Sequence, residues 1–224
     1  MRLGVVKRNG EVVARRVPLG VDRVIDAALR VADAEGIDAV TLRRLAQDLG
    51  VHPTSIYNHV PSKEAILDGL LERLLQEAQL PESFSEWGDW VRAFADALAR
   101  LAAAHPGAFL VFSRRQALGP TALVQTEAAL DAFRRAGLSA EQAGRAVAGT
   151  SLALLGLALN ESPPVGPWGQ PDAAVLSARE FPRIVEALAV NEENSSAMWA
   201  LMVDSLISGL TAHAGFARPS GRRG

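Results

Sequence analysis

At 224 residues the chain suits one or two domains and is long enough to bury a sizeable core. Its hydrophobic content of 49% is heavy in Ala and Leu, with aromatics at only 5%, which favours helix over sheet. The absence of cysteine excludes a disulfide framework, a thiolate metal site and a cysteine nucleophile. The net charge of −2 conceals an asymmetry: residues 1–63 hold ten Lys or Arg against seven Asp or Glu, and residues 64–224 hold thirteen against eighteen. A basic N-terminal part suits phosphates. No segment approaches the roughly 20 apolar residues of a membrane span, and no signal-peptide run follows Arg2, Lys7 and Arg8. A cytoplasmic location is expected.

Residues 1–20 form a basic arm, with Arg2, Lys7, Arg8, Arg15 and Arg16 against Glu11 alone. Asn9-Gly10 between Val5-Val6 and Val12-Val13 signals a type I′ hairpin, although an isolated two-stranded hairpin is marginal in water. The other reading is an arm that orders on the DNA backbone or minor groove. A helix is predicted over Val21–Gly36.

The stretch Thr41–Lys63 carries the most information. Leu42, Leu45, Ala46 and Leu49 recur at helical spacing. Gly50 stops that helix where the backbone takes positive φ. Pro53 fits the first position of a second short helix, where its missing N–H costs nothing. Ile56 and Val60 face inward. Thr54, Ser55, Asn58 and His59 remain outside, with Tyr57 at the boundary. This is the helix-turn-helix pattern, which presents small hydroxyls to base edges and Tyr57 and His59 to flanking phosphates. Ser62 is placed to cap the next helix, so that Lys63 and the first N–H groups of that helix can share a phosphate.

On these residues, 22–70 resemble the DNA-binding domain of the TetR family of one-component transcriptional regulators. The match is carried by Ala27, Ala28, Glu35-Gly36, Thr41, Arg43, Leu45-Ala46, Leu49-Gly50-Val51, Ile56-Tyr57-Asn58-His59-Val60, Lys63 and Leu67. The resemblance implies phosphate contacts from Thr41, Tyr57, His59 and Lys63, a guanine edge for Arg43, and base reading by Thr54 and Ser55. Pro53 and Asn58 complete the expected DNA-binding set. The planar fork of arginine matches guanine O6 and N7, worth about 1–3 kcal/mol of discrimination. His52 and Thr54 fall where the family varies, so operator sequence does not transfer.

After Lys63 the chain reads as successive helices. Lys63–Gln79 carries a stripe of Ile66, Leu67, Leu70, Leu71, Leu74 and Leu75, and Pro81 ends it. Further helices are predicted over Ser85–Ala104, Ala108–Arg114, Pro120–Arg135 and Ala140–Leu159, the last capped by Ser139. Ser162–Pro171 reads as a loop. Ala173–Val190 is helical with a break or start near Pro182, and a final helix runs from Ser195 or Ser196 to about His213. The expected fold is therefore all-α. It comprises the arm (1–20), a three-helix helix-turn-helix DNA-binding domain (21–67), a helical ligand-binding and dimerisation domain (68–215) and a disordered tail (216–224), TetR-like by resemblance.

Ala140–Leu159 and Ser196–His213 lack a clear polar face, so both sides must be covered. They are expected to form a four-helix bundle with a second copy in a homodimer, as the resemblance also implies. Candidate ligand walls are Trp90, Phe94, Phe109, Phe112, Leu154 and Leu157. Candidate polar fixtures are His105, Arg115, Gln125, Glu127, Asn160 and Glu161, with Trp168 as a rim; for the aromatics, core packing competes with a pocket. His52, His59, His105 and His213 show no metal spacing, and neither a G-x-S-x-G elbow nor a phosphate loop occurs. No cofactor, metal or catalytic activity is expected. The resemblance implies a repressor that binds a pseudo-palindromic operator as a dimer and is released by a small molecule. The competing reading is a helical metabolite-binding or interaction module without operator-specific DNA binding.

Overall fold

The computed structural model describes residues 7–8, 11–12, 18–161, 180–191 and 195–214. Near the N-terminus β1 (Lys7–Arg8) pairs antiparallel with β2 (Glu11–Val12), Lys7 opposite Val12 and Arg8 opposite Glu11. This register agrees with the hairpin signal that Asn9-Gly10 gives in the sequence. The rest of the described chain is helical. The expected loop at 162–171, Ala173 and its neighbours to 179, and the tail from 216 lie outside the described residues.

The first lobe begins with α1 (Val21–Glu35), whose Val24, Ile25, Ala27, Ala28, Val31 and Ala32 are all buried. Asp22 in its first turn complements the helix dipole. Gly36 ends it, and a 3₁₀ turn (Ile37–Ala39) leads to α2 (Leu42–Leu49). The Thr41 hydroxyl accepts the Arg44 N–H at 3.2 Å and caps α2. At the other end Gly50 sits in the left-handed region (φ 63°), where a side chain would cost about 1–2 kcal/mol. Then come α3 (Pro53–Tyr57), with proline in its first turn, and α4 (Lys63–Ala78), capped by Ser62 Oγ accepting the Ala65 N–H at 3.1 Å. The buried face of α4 is the predicted leucine stripe.

The second lobe stacks α5 (Trp87–Ala104), α7 (Pro120–Arg135), α8 (Ala140–Glu161) and α10 (Ser195–Ala214), with α9 (Pro182–Asn191) preceding the last. α5 starts two residues later than the predicted Ser85, at Trp87 after Glu86. The short helix expected at Ala108–Arg114 divides into α6 (Pro106–Phe109) and a 3₁₀ turn (Leu110–Ser113). Pro106, without an N–H to lose, starts the helix earlier than the apolar pattern alone suggests. Ser139 Oγ accepts the Gln142 N–H at 3.2 Å while Gln142 Oε1 accepts the Ser139 N–H at 2.9 Å, a reciprocal capping box for α8. The core of this lobe holds Trp87, Trp90, Leu98, Phe109, Phe133 and Leu154. Among the described residues, no helix is long and apolar enough to cross a membrane.

Candidate nucleic-acid interface and effector cavity

The reading unit is built by α1, α2 and α3. Leu45, Ala46 and Ile56 close its inner face with α1. Two ion pairs fix α2 on α1: Arg30 reaches Asp48 at 2.8 Å, and Arg44 forks onto Glu35 through Nε at 2.9 Å and Nη2 at 2.6 Å. The Arg44 hydrogen bond holds the Glu35 carboxyl below its usual value. Adjacent Arg43 is exposed and engages no partner among the described residues. Two neighbouring arginines thus divide the work: Arg44 is consumed by the scaffold and Arg43 projects free.

The outward side of α3 carries Thr54, Tyr57, Asn58 and His59, all exposed, with Pro53 and Ser55 half-buried. Tyr57 is 53% exposed, too much for a phenol ring serving only as core. His52, which the sequence reading left out of the site, caps α3: its Nδ1 accepts the Thr54 N–H at 3.4 Å and lies 3.0 Å from Thr54 Oγ1. The His52 Nδ1 and the Thr54 hydroxyl share a hydrogen bond whose direction is set by the imidazole tautomer. The Thr41 hydroxyl oxygen accepts the α2 cap, and its hydrogen takes no part in that bond. Lys63 is half-buried at the start of α4. The structure gathers every predicted DNA-binding residue on this one lobe: Thr41 and Arg43 come from the start of α2, Pro53 to His59 from α3 and its end, and Lys63 from α4.

Several of the candidate ligand walls pack on other aromatic rings. Trp90 stacks on Phe94 at 5.4 Å and meets Phe133 edge-on at 5.8 Å; Phe109 contacts Phe112 at 4.9 Å. Trp90, Phe109 and Leu154 are buried in the core and Leu157 is half-buried. Gln125 donates from Nε2 to the Leu80 carbonyl at 3.2 Å. His105 is engaged by two carboxylates. The side chains of Asn160 and Glu161, and all of Trp168, lie outside the described residues.

A cavity of about 420 Å³ lies elsewhere, between α4 and the 114–119 segment. Asp68, Leu71, Glu72 and Leu75 wall one side; Arg114, Arg115, Gln116 and Leu118 wall the other. Of the residues named from sequence, Arg115 alone lines it. Its guanidinium holds Asp68 at 2.6 and 2.9 Å. Glu72 acts as a cap supplied from outside the helix: its Oε1 accepts the Thr121 N–H at 3.0 Å and the Thr121 hydroxyl at 2.5 Å. That puts a carboxylate at the N-terminus of α7, where Gly119 has no side chain to offer. The signal the sequence holds for this cavity is the pair of acids, Asp68 and Glu72, one helical turn apart beside the apolar stripe of α4.

A helix-turn-helix unit with an unengaged arginine and an exposed polar face, joined by one helix to an all-helical second lobe, defines a DNA-binding transcriptional regulator. Residues 24–70 match the family described as "Bacterial regulatory proteins, tetR family", and residues 80–214 match "Tetracyclin repressor-like, C-terminal domain". An HTH-type transcriptional regulator of Saccharopolyspora erythraea is 32% identical over 209 residues, covering 87% of this chain and 85% of that protein. The HTH-type transcriptional repressor DrrR1 of Streptomyces coeruleorubidus is 38% identical over 125 residues, but the match spans only 46% of its length. Among solved structures, ActR of Streptomyces coelicolor in complex with (S)-DNPA superposes with a TM-score of 0.73 at 31% identity, covering 89% of this chain and all of that one. The chain belongs to the TetR family of transcriptional regulators. Its N-terminal lobe is the family's DNA-binding domain and its second lobe matches the family's C-terminal domain.

Proposed function

We propose that the protein is a homodimeric, cytoplasmic repressor that reads a pseudo-palindromic operator and is released by a small molecule. The carrying observation is the Arg43–Arg44 division: Arg44 is locked to Glu35, and Arg43 is held out by a rigid α2. In this reading Arg43 takes a guanine edge and Thr54 and Ser55 read neighbouring bases. Thr41, Tyr57, Asn58, His59 and Lys63 hold phosphates, with Pro53 setting the start of α3. The hairpin arm adds phosphate contacts. The domain limits follow the sequence reading, with α4 shared by both lobes. The work of the protein is binding rather than catalysis.

The dimer is proposed to form through α8 and α10, which pack on one another and on α5. A single protomer leaves Leu152 71%, Leu201 65% and Met202 40% exposed on these helices. Apolar area of that kind is what an isologous interface covers. Two α3 helices about one DNA turn apart, roughly 34–36 Å, then meet successive major grooves. The effector is proposed to enter beside α4, using the Asp68–Arg115 cavity, and to shift α4 and hence that separation. Since a structure of ActR, the 30%-identical relative, is of its complex with actinorhodin, that compound and tetracycline are the first effectors to titrate.

Selection of bound genomic fragments with the purified full chain, at two salt concentrations, tests the reading. A pseudo-palindromic motif with steep salt dependence is expected, flatter when residues 1–16 are removed. Weak, sequence-blind binding by effector-free protein would favour instead a binding module with no operator.

A further inference from the structure

His105 stands where three helices meet. It ends α5 and opens α6, and its ring lies between Asp33 of α1 and Glu77 of α4. Nδ1 is 2.7 Å from Asp33 Oδ2, and Nε2 is 2.9 Å from Glu77 Oε1. A neutral imidazole has one N–H and one lone pair. In that form one nitrogen would turn its lone pair on a carboxylate oxygen. The imidazolium, with two N–H donors, satisfies both. The side chain is only 15% exposed, so water has little access to replace either partner. The second Asp33 oxygen accepts the Ala108 N–H at 3.3 Å, which ties the first turn of α6 to the same carboxylate. On α5 the nearby Arg100 guanidinium is directed to the Ala78 carbonyl at 3.3 Å. Asp33 and Glu77 are thus the charged groups that meet the ring.

We propose that His105 is a proton-operated clasp between the DNA-reading lobe and the effector lobe: protonated, it fastens α1 and α4 to the start of α6, and deprotonated, it frees the reader. This rests on the regulator reading and adds a control to it. Burial works to lower the His105 pKa, but the hydrogen bonds to Asp33 and Glu77 outweigh it and the net shift is upward from 6.5. A raised folded-state value means that the clasp is fully present below pH 6.5 and is lost as pH rises through the higher value. A freed reader must be ordered again on DNA, so operator affinity falls with the proton.

The first test uses the full chain without DNA. Imidazole nitrogen NMR should show both His105 nitrogens protonated below pH 6.5 and a titration midpoint above it. Exchange of the Ala108 amide should accelerate, beyond its intrinsic pH dependence, as the ring titrates. His105→Gln should exchange fast at every pH, and His105→Arg, a permanent cation, should remove the extra pH dependence. The second test follows affinity for the selected operator from pH 6 to pH 9. The wild type should lose at least about fivefold more than His105→Gln, within the usual range of coupling between sites. A His105 titration midpoint at or below 6.5, or equal Ala108 exchange profiles in wild type and His105→Gln, would overturn the clasp. Equal pH profiles of operator affinity would overturn its regulatory role. If the clasp titrates as described and no sequence-specific DNA is bound at any pH, the regulator reading fails instead.

Discussion

Placing a methyl group at Gly107 probes the lobe junction directly. A Cβ there would stand 2.0 Å from the Ala32 carbonyl oxygen, 2.9 Å from its carbon and 3.2 Å from Asp33 Cα. Carbon–oxygen contacts ordinarily begin near ~3.3 Å, so α6 must retreat from α1 by about 1 Å or more. The obstacle is backbone and cannot rotate away. That retreat stretches the His105–Asp33 contact and the Ala108–Asp33 hydrogen bond, both made by the same five-residue stretch. Overpacking costs about 1–3 kcal/mol and a weakened charged hydrogen bond about 1.5–3. We expect Gly107→Ala to lose about 3 kcal/mol.

Gly69→Ala is the control. Its added Cβ meets Ile25 Cδ1 at 2.5 Å and Cγ1 at 3.0 Å, the far end of a side chain that can change rotamer. Alanine also gains about 1 kcal/mol of helix propensity inside α4. The net change should stay within about 1 kcal/mol. Guanidinium unfolding followed by tryptophan fluorescence, at one fixed protomer concentration, reads both. If Gly107→Ala proves as stable as Gly69→Ala, the close junction between α6 and α1 is wrong.

Replacing Arg43 by alanine should cost about 1–3 kcal/mol on operator and little on random DNA, leaving stability unchanged. Arg44→Ala should lower stability and weaken specific and random binding together; anisotropy titrations on both DNAs with a thermal melt separate the two, and identical behaviour would refute the division of roles. Glu72→Ala removes the α7 cap and should destabilise by about 0.5–2 kcal/mol, read by denaturation, with Glu72→Gln intermediate; a neutral alanine variant would contradict capping from α4. On the acid side, the Arg114 hydrogen bond depresses the Asp38 carboxyl below 3.8, so its contribution is present above that value and is lost only as pH falls through the lower one. Asp38→Asn should therefore raise the pH of acid unfolding followed by circular dichroism, and an unchanged midpoint would dismiss the pair.

The reading lobe was legible in the sequence because its determinants are local. Thr41 and Ser62 cap helices through bonds to residues three places on, and Gly50 ends α2 by its own backbone freedom. The resemblance singles out Arg43 by its place in the pattern; what the pattern does not carry is why Arg44 is unavailable, which lies with Glu35, nine residues earlier, across the α1–α2 turn. The junction was illegible for the same reason on a larger scale. His105 meets Asp33 across 72 residues and Thr121 meets Glu72 across 49, distances at which no periodicity survives. Among the aromatic candidates, Trp90 stacks on Phe94 and meets Phe133, a ring outside the candidate set, edge-on. An apolar stripe alone cannot distinguish an occupied core from a cavity.

The chemistry chosen for the lobe junction bears on how it switches. Arg114 forks onto Asp38 at 2.6 and 3.1 Å, with the aspartate side chain 82% exposed. Arg115 and Asp68 are 33% and 50% exposed. Pairs as wet as these contribute about 0–1 kcal/mol each. The apolar part of the junction is buried, with Val31 and Ala32 of α1, Leu70 and Leu74 of α4 and Ala108 and Phe109 of α6 in one core. The directional contacts at its edge are individually weak, and the close backbone approach at Gly107 sets their geometry. Allosteric coupling is itself worth about 1–3 kcal/mol, the scale of one or two such pairs. Arg115 and Asp68 line the cavity and also hold the 114–119 segment to α4. In the proposed reading, a molecule that settled between them would pull on the fastening of the junction itself. That coincidence of wall and fastener requires no relay through the packed core.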